Sequence, residues 1–170
     1  NENSESLNEI EVSGNSFNRT EASPNSLRTI SASEIYRSPG GNRDISKVIA
    51  NFPGVSSSPS FRNDIIIRGG APSENRFYLD GVEITNINHF ATQGSSGGPV
   101  GILNVNFIRE VDFYSGAFPA NRGNALSSVM DLKQIEGNDE EFSGSFMIGS
   151  SDAGLTLNTP INKLSSLLFS

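Results

Sequence analysis

The 170-residue chain contains no cysteine and no tryptophan, and it has a single histidine, His89. Without cysteine there is no disulfide, no cysteine-ligated zinc and no thiol nucleophile. One histidine provides neither a histidine-rich metal site nor the base of a convincing nucleophile–base pair. We therefore expect no catalytic residue, no metal site and no cofactor, and we expect that the protein is not an enzyme.

Positive charge is also scarce. The chain has 12 Lys and Arg against 19 Asp and Glu, which gives a formal net charge of −7. A nucleic-acid-binding domain needs a basic surface, so nucleic acid is not an expected partner. No apolar stretch approaches the roughly 20 residues that a membrane-spanning helix needs.

The first 26 residues are rich in Asn, Ser and Glu and contain few apolar side chains, which predicts a flexible tail. Within this tail, Ile10 and Val12 alternate with Glu9 and Glu11, a pattern typical of a single β-strand. Such a segment can add a strand to the edge of a partner's sheet through main-chain hydrogen bonds. The alternative interpretation is a tail in which the two apolar residues occur by chance.

Helix signals follow the tail. Ser31 and Glu34 have the spacing of a capping box and predict a short helical turn. A second helix is predicted by apolar residues at the spacing of one helical face: Ile45, Val48, Ile49 and Phe52. Asn42 is its expected N-cap, Asp44 suits its positive N-terminal dipole, and Pro53 ends it.

Strand signals come next. The β-branched run Ile65–Ile67 is typical of a strand that is covered on both faces. Asp80-Gly81 is a two-residue turn signal and predicts a hairpin between Arg76–Asp80 and Val82–Ile84. Further strands are predicted at Glu110–Tyr114 and Ser128–Lys133. Glu110 and Asp112 share one face of their strand, and we expect them to be ion-paired rather than catalytic.

The texture of the sequence changes after about residue 140. Small or polar residues there alternate with large apolar residues, which are Phe142, Phe146, Ile148, Leu155 and Leu157. This period-two alternation around turns is typical of the strands of membrane barrels.

Several motifs, taken in order, resemble the plug domain of TonB-dependent outer-membrane receptors. The motifs are Ile66-Ile67-Arg68-Gly69, Tyr78-Leu79-Asp80-Gly81-Val82, the segment Ile108–Ala117, and Arg122-Gly123-Asn124-Ala125 leading into Val129–Lys133. The helix in residues 42–55 is similar to the first plug helix of the family. Residues 7–14, LNEIEVSG, are similar to a TonB box.

The resemblance implies an α/β (α+β) plug fold, with a small mixed sheet of about four strands and short helices. It divides the chain into a flexible tail at residues 1–26, a plug domain at 27–138, and the first strands of an incomplete outer-membrane barrel at 139–170. The plug would occlude the barrel, help to bind an imported ligand such as a ferric siderophore or cobalamin, and couple to TonB through the periplasmic tail. Membrane contact would occur only through the barrel. The alternative is a free-standing periplasmic adhesion or binding module.

The resemblance also implies roles for individual residues. Glu9–Val12 would bind TonB. Arg68, with Gly69, would latch the plug to a barrel carboxylate, because a planar guanidinium favours bidentate pairing; the alternative is a solvated arginine at a strand end. The polar, glycine-rich excursion Asn86–Gly101 would face the ligand and is longer than a simple connection needs to be. Its candidate contacts are His89, Phe90 and Gln93, and the alternative for His89 is a loop histidine without a role.

Overall fold

A computed structural model describes residues 26–58, 62–89, 97–148, 153–162 and 165–170. Two α-helices are present in these residues, α1 (Ala32–Arg37) and α2 (Ile45–Ile49), with two short 3-10 helices at Pro72–Glu74 and Val105–Phe107. The strands are β1 (Leu27–Ser31), β2 (Val55–Ser57), β3 (Ile65–Ile67), β4 (Asn75–Leu79), β5 (Val82–Ile84), β6 (Ile108–Tyr114), β7 (Ser128–Gln134), β8 (Ser143–Ile148), β9 (Ala153–Asn162) and β10 (Ser165–Phe169). Within the described ranges, no helix is long and apolar enough to cross a membrane.

A five-stranded mixed sheet forms the centre of the fold, in the order β1-β6-β7-β4-β5. β4 and β7 run parallel, and the other neighbours are antiparallel. The mixed sheet and its short helices confirm the predicted fold class. Two strands were not predicted: β1, which pairs with β6 and buries Ile30 completely, and β2, which pairs with β3.

The predicted isoleucine strand lies outside this sheet. β3 pairs with β2, and Ile65 and Ile67 are buried whereas Ile66 is partly exposed. The strand therefore buries one face rather than both. A β-branched run favours an extended backbone, but the number of faces that are covered depends on the elements that pack against it.

Helix α1 begins as predicted, because the Ser31 side chain accepts a hydrogen bond from the backbone N–H of Glu34 at 3.3 Å. Helix α2 ends at Ile49, before the predicted stop at Pro53. It also differs from its prediction at the N-cap. Asp44 caps it by accepting from the backbone N–H of Ser46 at 2.9 Å, whereas Asn42 has a left-handed backbone with φ +45°. The predicted cap was therefore wrong by two residues.

The helices and β3 pack on one face of the sheet and enclose the core. Its fully buried side chains include Ile30, Ile35, Ile49, Ile67, Ile108, Val111, Met130 and Leu132. Burying one such side chain contributes about 1.5–3 kcal/mol.

The opposite face of the sheet carries partly buried ion pairs. The Nζ of Lys133 lies 2.9 Å from Glu110 Oε1 and 2.8 Å from Asp112 Oδ2, and Thr29 donates to Asp112 at 2.5 Å. This confirms the ion-paired prediction for the two carboxylates. Burial alone would lower the pKa of Lys133, but its hydrogen bonds to Asp112 and Glu110 outweigh burial and raise that pKa.

The last three strands form a separate antiparallel sheet in the order β10-β9-β8. Thr156 and Asn158 lie on its polar face, where Asn106 Nδ2 donates to Thr156 Oγ1 and the backbone N–H of Asn138 donates to Asn158 Oδ1, both at 2.8 Å. Large apolar side chains on these strands remain exposed, including Phe146 at 69% and Ile148 at 74%.

Candidate functional site

The two ends of the predicted excursion pair with each other. The backbone N–H of His89 donates to Val100 O, and that of Ile102 donates to Ile87 O, each at 2.8 Å. A β-bridge joins Asn88 to Gly101 between them. These pairings define a stem, residues 86–89 and 97–102, from which the rest of the excursion extends.

A partly buried polar network attaches this stem to helix α2. The side chain of Asn63 donates to Asp44 Oδ2 at 2.7 Å and to Pro99 O at 3.1 Å. Asn88 donates to the backbone oxygen of Asn63 at 3.2 Å and accepts from Ser46 Oγ at 2.9 Å. Because buried polar groups are costly when left unpaired, a satisfied network of this kind selects one arrangement of the segments that it joins.

Two glycines in the stem occupy positions that have no room for a side chain. A Cβ on Gly97 would lie 1.9 Å from Asp64 Oδ1, and a Cβ on Gly98 would lie 1.6 Å from the carbonyl oxygen of His89. Asp64 is buried, and its other oxygen accepts from Arg62 Nε at 2.6 Å. The glycine pair is therefore required for close packing.

A cavity of about 330 Å³ lies where α2 meets the stem. Its lining residues include Arg43, Asp44, Lys47, Ile87 and Pro99. The volume lies at the lower end of the range for small-molecule pockets, roughly 300–1,000 Å³. The lining combines two cationic side chains, Arg43 and Lys47, with the carboxylate of Asp44. Among the described residues, no cluster of His, Cys, Asp or Glu side chains is able to hold a metal ion.

The latch candidate Arg68 lies at the far end of β3 from Asn63. It is exposed, and its backbone is left-handed with φ +50°. Its guanidinium packs against Gly116, where a Cβ would lie 3.1 Å from Nη1. Within the described part of the chain, this guanidinium has no carboxylate partner. The next residue, Gly69, has φ +81°, as expected for a glycine that serves the backbone.

The remaining predicted site residues divide into two groups. His89 is exposed at the stem. Glu9, Ile10, Glu11, Val12, Phe90 and Gln93 lie outside the described residues. Sequence reasoning missed Asn63 and Asp64, because an Asn-Asp pair before an apolar strand resembles a surface turn. The Gly97-Gly98 pair was the visible signal of a close approach.

The sequence profile of the family described as the TonB-dependent receptor plug domain matches residues 19–129. This match spans more than half of the 170 residues. The chain belongs to the TonB-dependent receptor plug domain family. Members of this family are parts of transport receptors, which confirms the prediction that the chain is not an enzyme.

Solved receptors share the fold. The siderophore receptor PirA from Pseudomonas aeruginosa matches with a TM-score of 0.52 and 23% identity, covering 79% of this chain and 23% of PirA. The ferric enterobactin receptor PfeA, from the same organism, matches with a TM-score of 0.56 and 18% identity, covering 85% of this chain and 24% of PfeA. The outer membrane transporter YddB from Escherichia coli matches with a TM-score of 0.52 and 23% identity, covering 67% of this chain and 17% of YddB.

At these identities the likeness shows the fold alone. The chain spans a quarter or less of the length of each of these receptors. No curated protein sequence matches the chain significantly.

Proposed function

We propose that this chain is the gating plug of an outer-membrane receptor that imports a scarce nutrient, and that it couples to TonB. The plug would occlude the receptor's barrel and contribute part of the ligand site on its outer side. The family match over residues 19–129 carries this proposal. A ferric siderophore is the favoured ligand, because PirA and PfeA, which share the fold, are described as siderophore and ferric enterobactin receptors; cobalamin is the second candidate.

The proposed domain boundaries are a tail at residues 1–26, a plug at 27–138 and barrel strands at 139–170. In support, the family match ends at residue 129 and β7 ends at Gln134. The sheet β8–β10 presents Thr156 and Asn158 to the plug and leaves its large apolar side chains exposed. A barrel wall has this arrangement, with polar residues facing the lumen and apolar residues facing lipid.

The proposed ligand side of the plug is the excursion Asn86–Gly101. The stem network supports this placement, because it joins the described residues of the excursion to α2, and a cavity adjoins them. His89 is the candidate contact in the described part of the excursion, and Phe90 and Gln93 are proposed with it.

The proposed TonB contact is Glu9–Val12. Its chain continues into β1, an edge strand of the central sheet, so a pull on the tail would reach the plug at β1. Strand addition by such a segment needs free backbone N–H groups and an extended backbone.

Uptake assays test this function in cells that carry the full-length receptor. The probes are a panel of ⁵⁵Fe-labelled siderophores and radiolabelled cyanocobalamin. We expect import of one probe that depends on TonB. Ile10→Pro should abolish import and leave binding intact, because proline removes a backbone donor and fixes φ.

Ser16→Pro, a proline in the same tail outside the proposed contact, is the matched control and should import normally. Import by Ile10→Pro at the wild-type rate would refute the TonB contact. Failure of every probe to accumulate, with receptor present in the outer membrane, would refute the proposed ligand classes.

A further inference from the structure

We propose that Asn63 and Asp64 form a clasp that fixes the stem, residues 86–89 and 97–102, against helix α2 and so sets where the two ends of the excursion lie. The clasp rests on the proposed function, since it positions a loop whose contact with ligand is itself a proposal. Its residues act as positioning residues and do not themselves touch ligand.

Asn63 is the centre of the clasp because it contacts both ends of the stem. Its amide nitrogen donates to Pro99 O, on the C-terminal side of the excursion, and its backbone oxygen accepts from Asn88, on the N-terminal side. The same amide donates to Asp44, the N-cap of α2. One residue therefore joins three segments that are distant in sequence.

Asp64 contributes to the clasp by packing closely against the stem. Its Oδ1 is buried and has no hydrogen-bond partner in the described residues, and it packs against Gly97. A buried carboxylate oxygen without a partner opposes folding, so a role in placing the stem accounts better for its position than stability does. Arg62 pairs with the other oxygen and keeps the carboxylate oriented.

Asn75 provides a matched control, because it is another asparagine beside β3. Asn75 is buried, and Asn63 is partly buried. It donates to Ile65 O at 2.7 Å and to Pro72 O at 3.2 Å, and it accepts from Ser128 Oγ at 2.8 Å. Its side chain thus makes three hydrogen bonds, against two for the side chain of Asn63, and none of the three goes to the stem. Asn63→Ala and Asn75→Ala remove the same amide from two different places.

Hydrogen exchange of the full-length receptor, followed by mass spectrometry, tests the clasp without any ligand. Asn63→Ala should speed exchange in peptides that cover the stem amides of His89 and Ile102 by about tenfold, with little change in β6 and β7. Asn75→Ala should speed exchange at β4 and β7 and leave the stem protected. An unchanged stem in Asn63→Ala, or an equal rise throughout the plug, would overturn the proposal.

A double-mutant cycle tests the contribution of Asp64. Gly97→Ala should speed hydrogen exchange of the stem amides, because the added methyl group collides with the Asp64 carboxylate. In an Asp64→Ala background the same glycine substitution should have little further effect, because the collision is gone. If Gly97→Ala speeds exchange equally in both backgrounds, the contact between Gly97 and Asp64 does not position the stem.

The outcome is separable from that of the uptake assay. A protected stem in a receptor that imports none of the probes would count against the proposed function and leave the clasp standing. An unprotected stem in a receptor that imports a probe would count against the clasp and leave the proposed function standing.

Discussion

At the scale of single residues, two of the five described non-glycine residues with a positive φ, Asp80 and Arg68, have different explanations. Asp80, with φ +47°, begins the β4–β5 turn with Gly81, and its Oδ1 accepts from the backbone N–H of Gln134 at 2.9 Å. The sequence predicted the turn, and the structure adds that the Asp80 side chain binds the last residue of β7. Arg68 has φ +50° with no comparable compensation from its side chain in the described residues. A non-glycine residue in this conformation costs about 1–2 kcal/mol, and such strain often persists where it serves a function.

Replacing Arg68 separates strain from function. Arg68→Gly should leave the stability of the isolated plug unchanged or raise it by up to about 1 kcal/mol, since glycine adopts a positive φ freely. The same substitution in the full receptor should increase sensitivity to a large antibiotic such as vancomycin, because the proposed latch to a barrel carboxylate is lost. Denaturant unfolding and minimum inhibitory concentrations measure the two effects.

Arg109→Ala, which removes another exposed arginine, is the control and should leave sensitivity unchanged. If Arg68→Gly cells resist the antibiotic as well as wild-type cells at equal receptor levels, Arg68 is not a latch.

At the scale of elements, local signals identified those segments whose structure depends on near neighbours. The Ser31 cap, the Asp80-Gly81 hairpin and strands β6 and β7 were predicted within a few residues. β1 was not predicted, because its stability comes from Ile30 in the core and from pairing with β6, about 80 residues away. The clasp was unpredictable for the same reason, since it joins four segments through side-chain contacts that no local pattern encodes.

We expect the protein to lose stability at alkaline pH, because of titratable groups on the ion-paired face of β6 and β7. The pKa of Lys133 is raised from 10.5, and that of Tyr114 is raised from 10.0 by burial and by the nearby Asp112 and Asp131. In both cases the folded state holds the proton more tightly, so stability is fully present below about pH 10 and falls as pH rises above it. Urea unfolding midpoints between about pH 8 and pH 11.5 measure this fall.

Lys133→Met should lower stability at pH 8, since it removes the cation that Asp112 and Glu110 share, and it should flatten the decline above pH 10. Lys47→Met, the same change outside this cluster, is the control. A decline equally steep in Lys133→Met would show that this lysine does not cause it.

At the scale of the whole molecule, the five-stranded sheet and the sheet β8–β10 differ in how much of their apolar surface is buried. The five-stranded sheet has a closed core, whereas β8–β10 bury little and expose a row of apolar side chains. The alternation after residue 140 was readable from the sequence, and it indicated strands of the kind found in membrane barrels. The structure describes them as a three-stranded sheet whose polar face meets the plug, and three strands fall short of the roughly eight that the smallest bacterial membrane barrels need.

Hydrogen exchange of the 170-residue chain tests the proposed boundary at residue 138. Slow amides should occur in α2, β3, β4 and β6, where the core is closed. Exchange in β8–β10 should be faster, because these strands bury little apolar surface and β8 and β10 are edge strands of their sheet. A shortened chain ending at residue 138 should keep the same slow amides. Equal protection of residues 142–157 in monomeric samples would place these strands in the globular core and move the boundary.

The central claim is that residues 27–138 close a pore, and conductance of the full-length receptor in planar lipid bilayers measures this directly. The intact receptor should show no large steady conductance. Deletion of residues 27–138 should produce a large, persistent ionic current, because the lumen is then open to water. The same low conductance before and after deletion, with the barrel shown to be inserted and folded, would contradict the account.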